Sequence, residues 1–154
     1  MRQARRKGVA GFTLIETLVV IAIIALLASV MAPGMIPTPN NQLRNDAEAL
    51  VAALRKTRLA AQETQRSAQL QIHTQEAYYR LPGKGARHAL DADNLSLELT
   101  TAEQETLDDE LGGIRFFPDG SSSGGRIKLS NGSIVQQINV EWLTGHIKRI
   151  EIRP

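Results

Sequence analysis

A chain of 154 residues with 42% hydrophobic content and no cysteine has room for one modest domain, and it excludes both a disulfide framework and thiolate-bound metal. Its formal charge of +2 belongs to the first eleven residues, where Arg2, Arg5, Arg6 and Lys7 lie. Beyond them 14 basic residues stand against 16 acidic ones, a net of −2, which disfavours a nucleic-acid-binding body.

The first predicted element, residues 12–32, reads "FTLIETLVVIAIIALLASVMA" and is interrupted only by Glu16 and by hydroxyls that a helix satisfies internally. As a helix it measures about 32 Å, enough to span a bilayer core. The cations ahead of it, and the absence of charge between Glu16 and Arg44, orient residues 1–11 toward the cytoplasm and the body outside. A cleaved secretory signal is the rival reading, with Val30-Met31-Ala32 as its small-residue site. Pro33 directly after that site argues against it. Glu16 discriminates further, because an ionised carboxylate in hydrocarbon costs about 3 kcal/mol and persists where a partner awaits it. Cutting between Gly11 and Phe12 would create an α-amine about one helical turn before Glu16. In a bundle of parallel helices, the amine of one subunit can then neutralise Glu16 of the next.

"GFTLIE", residues 11–16, preceded by Arg5, Arg6 and Lys7 and followed by the apolar run, resembles the class III signal of type IV pilins and type II secretion pseudopilins. The resemblance implies that a prepilin peptidase cuts after Gly11 and N-methylates Phe12, and that Glu16 is the assembly glutamate. A glycine before the cut has a physical sense, since a residue without Cβ lets the backbone approach the peptidase closely.

Pro33, Gly34, Pro37 and Pro39 then break the pattern, predicting a kink or unwound stretch over 33–41. A second helix is expected from Asp46 to Ser67, capped by Asn45 or Asp46, with Ala47, Leu50, Val51, Leu54 and Ala61 on its apolar stripe. Arg55, Lys56, Arg58, Glu63 and Arg66 are expected mostly toward solvent. Seven strand segments follow: "AQLQIH", "AYYRL", "LSLEL", "GIRFF", "GRIKL", "SIVQQINVEW" and "HIKRIEI". Asn131-Gly132 predicts a two-residue type I′ hairpin turn. Residues 82–94 are expected as an irregular loop. Glu103, Glu105, Asp108, Asp109 and Glu110 are expected in a short helix or surface loop, where solvated charge is favoured over a calcium site because the Asp-x-Asp-x-Asp-Gly order is absent.

"FFPDGSSSGGRIKL", residues 116–129, is rich enough in glycine to suggest a phosphate loop, but no Lys-Ser or Lys-Thr pair closes it and no helix follows. Together with "VEWLTGHIKRIEI" at 140–152, it resembles the C-terminal domain of the GspH and FimT group of minor pseudopilins. Within that group, DNA-binding pilus members carry a basic Gly-Arg-x-Arg motif. The corresponding stretch here is Gly145-His146-Ile147-Lys148 followed by Arg149, with histidine in place of the first arginine. Lys148 and Arg149 are therefore the candidate partner or nucleic-acid contacts, and one such pair offers few phosphate contacts.

His73, His88 and His146 show no metal-ligand spacing, and the serines at 121–123 lack a nucleophile's strand-to-helix setting. No catalytic residues, cofactor or metal are assigned, and no enzyme is expected. The expected fold is α+β: a long N-terminal helix, with a membrane half and an amphipathic half, packed on an antiparallel β-rich head, type IV pilin-like. The expected divisions are a cleaved leader at 1–11, an assembly helix at 12–32, the break at 33–41, and a head at 42–154 with its helix at 46–67 and sheets at 69–152.

The resemblance implies a minor pseudopilin at or near the tip of a periplasmic pseudopilus that helps export folded proteins. It would be a single-pass inner-membrane precursor with a cytoplasmic N-terminus. Its implied partners are other minor and major pseudopilins, the prepilin peptidase, the inner-membrane secretion platform and exported substrates, with nucleic acid disfavoured. The alternative is a FimT-like type IV minor pilin binding DNA for uptake. A membrane-anchored enzyme is the remote third reading.

Overall fold

The computed structural model describes residues 13–31, 38–83, 85–101 and 111–153. The chain divides into two compact units, 1–37 and 38–154.

In the first unit, α1 spans Leu14–Met31. Thr13 starts it: its carbonyl accepts the Thr17 N–H at 3.2 Å and its hydroxyl accepts the Glu16 N–H at 3.3 Å, the N-cap half of a Thr-x-x-Glu capping box. Glu16 thus occupies the first turn, where the helix dipole favours a carboxylate. Every side chain of residues 13–27 is exposed, and apart from Thr13, Glu16 and Thr17 they are apolar on every side of the helix. Among the described residues no helix is long and apolar enough to cross a membrane. The expected span of 12–32 runs past the described residues at both ends.

The second unit opens with α2, Pro39–Thr64. This corrects the expected start at Asp46 and the expected break through residue 41. Pro39 sits at the first helical position, where its missing N–H costs nothing, and the Thr38 hydroxyl caps the helix by accepting from the Asn41 N–H at 3.3 Å. The extra turns hold because Leu43 is fully buried. Asp46 caps nothing; its carboxylate accepts the Ala92 N–H at 2.9 Å and tethers a loop. The helix ends at Thr64 rather than Ser67, since Gln65 turns left-handed at φ 52°.

All seven expected segments contain strands, and residues 87–89 supply an eighth. β1 (Ala68–His73), β2 (Tyr78–Arg80), β3 (Arg87–Ala89) and β5 (Leu111–Phe116) form one antiparallel sheet in the order β3-β2-β1-β5. β4 (Ser96–Thr100), β6 (Gly125–Ser130), β7 (Val135–Val140) and β8 (Ile147–Ile152) form another in the order β4-β6-β7-β8. β3 lies inside the stretch expected as a loop. All three of its residues are exposed, so no alternation marks it, and pairing with β2 through Tyr78↔Ala89 makes it a strand. The acidic residues Glu103, Glu105, Asp108, Asp109 and Glu110 lie outside the described residues.

α2 packs against β1 and β5 of one sheet and β6, β7 and β8 of the other. Leu43, Leu50, Leu54, Leu70, Ile72, Ile114, Phe116, Ile127, Leu129 and Ile138 are fully buried between them, each large side chain contributing about 2 kcal/mol of hydrophobic stabilisation. The Asn131-Gly132 turn departs from its expected type. Ser130 pairs with Val135, which leaves a four-residue connection. Gly132 has φ +84°, but Asn131 is not among the described residues of positive φ, as a type I′ turn would require. Its side-chain oxygen instead accepts the Ser133 and Ile134 N–H groups, both at 3.1 Å. Its amide donates to Asn40 Oδ1 at 2.9 Å, tying the hairpin to the first turn of α2.

Candidate functional site: the clasped end of the head and the assembly helix

The two stretches that carry the C-terminal resemblance meet. After β5, the 117–120 turn closes with Phe117 N–H donating to Ser121 O at 2.9 Å and Gly120 N–H to Phe117 O at 2.9 Å. The Asp119 carboxylate accepts the Ser121 N–H at 2.9 Å and its hydroxyl at 2.6 Å, which holds Asp119 below the usual carboxylate range. Ser122 then crosses to the second stretch: its N–H donates to Trp142 O at 2.8 Å and its hydroxyl to Glu141 O at 2.9 Å. Ser123 and Arg115 exchange bonds of 2.8 and 3.1 Å. The serines and glycines therefore clasp two loops rather than cradle an anion.

Two glycines make this approach possible. Gly145, at φ +61°, lies so close to the Gly120 carbonyl that a Cβ has no room, and a Cβ on Gly124 would meet Trp142 Cβ at 3.1 Å. Arg58 of α2, expected in solvent, donates from Nε to the Gly120 carbonyl at 3.2 Å and fastens the clasp to the helix. No sequence signal separated Arg58 from its basic neighbours, because only the tertiary fold brings residue 120 to it.

Lys148 and Arg149 lie on opposite faces of β8. Neighbouring residues of a strand point to opposite faces. Lys148 is exposed opposite Asn139 on the outer face of its sheet. Arg149 turns to α2, pairing with Glu48 at 3.1 Å and donating to the Arg44 carbonyl at 3.4 Å. Beside it, Arg44 grips Glu151 with two bonds of 2.8 and 3.0 Å. Glu151 also accepts from Gln136 at 2.9 Å and Arg153 at 3.1 Å. The donors, Arg44 first, lower the Glu151 carboxyl to about 2, and the Glu151 carboxylate in turn raises Arg44. The sequence pattern missed this network, since Arg44 and Glu151 lie 107 residues apart.

The histidines are dispersed. His73 stacks on Tyr78 at 5.0 Å and His88 on Tyr79 at 5.1 Å, while Arg80 and Arg87 lie 5.4 and 4.8 Å from the Tyr78 ring centre. Among the described residues no group of three or more His, Asp or Glu is placed to hold a metal ion. On α1, Glu16 is exposed in the first turn. Gly11 and Phe12 lie outside the described residues.

Comparison with known proteins agrees at both ends of the chain. Residues 6–32 match the prokaryotic N-terminal methylation motif, and residues 46–144 match the family described as type II transport protein GspH. Type II secretion system protein H of Xanthomonas campestris is 35% identical over 150 residues, covering 96% of this chain and 87% of that protein. Among solved structures, the type IV minor pilin FimU of Pseudomonas aeruginosa aligns in two crystal forms. One has a TM-score of 0.54 at 16% identity, covering 71% of this chain and 88% of that one; the other has 0.50 at 14%, covering 70% and 91%. At such identities the likeness is one of fold alone, a long helix on antiparallel sheets. The chain therefore belongs to the type II transport protein GspH family, the minor pseudopilins of type II secretion, structural subunits that assemble with other pseudopilins.

Proposed function

We propose that the chain is made as an inner-membrane precursor with a cytoplasmic leader, is cut after Gly11 and methylated on Phe12, and carries its head into the periplasm near the tip of a pseudopilus. One observation supports this reading above the others. Within the stretch matching the N-terminal methylation motif lies α1, whose side chains at 13–27 are exposed on every side and largely apolar, with a single carboxylate, Glu16. A helix of that character needs lipid or other helices around it. A carboxylate costing about 3 kcal/mol in hydrocarbon favours the state in which a cation meets it. The Phe12 amine of a neighbouring subunit is that cation, so the subunit leaves the bilayer when it joins the bundle. Its work is structural: growth of the filament pushes exported proteins outward, and the head does no chemistry.

Mass spectrometry of the mature chain tests this reading; the expected N-terminus is N-methylated Phe12. Any other first residue refutes it. Glu16→Ala is expected to be processed normally yet fail to co-purify with other pseudopilins, and wild-type recovery of those partners would remove the salt-bridge role.

A further inference from the structure

Asparagine followed by glycine is chemically labile, because the glycine nitrogen reaches the asparagine side chain with no Cβ in its way. That nitrogen attacks the side-chain amide carbon, the carbon–nitrogen bond of the side-chain amide breaks, and ammonia leaves with the proton the glycine nitrogen gave up. Water then opens the cyclic imide to aspartate or, with the backbone rerouted through the side chain, to isoaspartate. Of the six asparagines in this chain, Asn131 alone precedes a glycine. Gly132 has open space where a Cβ would stand, and Gly132 and Ser133 are exposed. Neither crowding nor exclusion of water protects this turn.

Hydrogen bonds hold it instead, on each polar atom that the attack involves. Asn131 Oδ1 accepts the Ser133 and Ile134 N–H groups, both at 3.1 Å. The attacking group, Gly132 N–H, is turned to Ser130 Oγ at 3.2 Å. The leaving group, Asn131 Nδ2, donates to Asn40 Oδ1 at 2.9 Å. The first three bonds lie within the β6–β7 connection, whereas the fourth comes from the first turn of α2, 91 residues away in sequence. Ring closure requires the Asn131 side chain to leave all of its partners and swing its amide carbon over the Gly132 nitrogen, so Asn40 holds the one restraint that the hairpin cannot supply for itself.

We propose that Asn131 is a deamidation site latched by Asn40, and that its conversion reports the release of the β6–β7 hairpin from the first turn of α2. The reaction draws on the population in which the latch is locally open, so it quickens as the latch weakens. Conversion is one-way, since ammonia has left and water has been added. An aspartate at 131 has no amide proton to donate to Asn40. An isoaspartate lengthens the backbone by a carbon inside a connection whose flanking residues, Ser130 and Val135, are paired. Either product therefore loses the latch as it stands in the unmodified chain.

To test this, the full-length chain in detergent is aged in warm, mildly alkaline buffer and digested, and the peptide carrying residue 131 is followed by mass spectrometry, with aspartate and isoaspartate products separated by chromatography. Slow conversion is expected in the folded wild type and fast conversion in urea. Asn40→Ala should speed the folded chain about fivefold, the effect of losing one hydrogen bond. Asn40→Asp should restore the slow rate, because a carboxylate still accepts from Asn131 Nδ2 and suits a helix N-terminus. Gly145→Ala, which weakens the head without touching the hairpin, should leave the rate as in the wild type. A wild-type rate in Asn40→Ala overturns the latch, as does a folded wild type that converts as fast as the chain in urea. Equal acceleration by Asn40→Ala and Gly145→Ala also overturns it, since global unfolding would then be what exposes Asn131.

Discussion

Single residues carry the closure of the head. Gly145 combines a left-handed backbone with direct contact on the Gly120 carbonyl, so Gly145→Ala meets two penalties and is expected to destabilise the protein by about 3 kcal/mol. Gly132, also at positive φ, faces open space, with nothing within 4 Å of where a Cβ would stand, and Gly132→Ala should cost only about 1 kcal/mol. Thermal unfolding of the detergent-solubilised chain compares them, and equal losses would contradict the close approach. Glu151 sets a pH dependence. Its folded value, about 2 against an ordinary 4.5, means that its stabilisation is complete above the ordinary carboxylate value and is lost as pH falls toward 2. Glu151→Gln should lower stability at neutral pH and flatten the curve between about pH 5 and 2. Asp46 has the opposite sign: burial raises it, so its ionised form is disfavoured in the fold and acid relieves that cost. An unchanged acid limb in Glu151→Gln would remove Glu151 as its source.

At the scale of elements, α2 shows where periodicity misleads. Its stripe of Leu50, Val51, Leu54 and Ala61 was legible, but the prolines ahead of it read as a break when one of them is the opening residue of the helix. The cap distinguishes the two descriptions. Thr38→Ala should cost about 1 kcal/mol and Asn45→Ala close to nothing, as read by the same unfolding measurement; the reverse order would restore the later start. The Asn131-Gly132 hairpin teaches a similar lesson. The dipeptide correctly marks the reversal, but its type was decided by the Asn131 side chain, which bonds its own loop and reaches Asn40 on α2. β3 was illegible because an exposed three-residue edge strand has no hydrophobic alternation to display.

For the whole molecule, the division at residue 37 separates an apolar helix whose side chains at 13–27 stay exposed from a head with a core of its own. A chain beginning at Thr38 is expected to be soluble and to unfold in one cooperative transition in circular dichroism. A broad, non-cooperative melt would mean that the head needs α1 to fold.

The N-terminal methylation motif was legible from residues 5–16 alone, because its signal is local: a basic leader, a glycine, a phenylalanine and one carboxylate in an apolar run need only sequence spacing to be recognised. The β-rich class of the head was equally local, since alternation over five or six residues is enough to declare a strand. The sequence determined seven of the eight described strands, both helices and the N-terminal methylation motif. Only the tertiary structure decided that Arg149 reaches Glu48, that Arg44 answers Glu151, that Arg58 locks the Gly120 turn, and that Trp142 is left in solvent. Those outcomes depend on pairings across tens to a hundred residues, and the free energy that selects them exists only once the core has brought the partners within hydrogen-bonding distance.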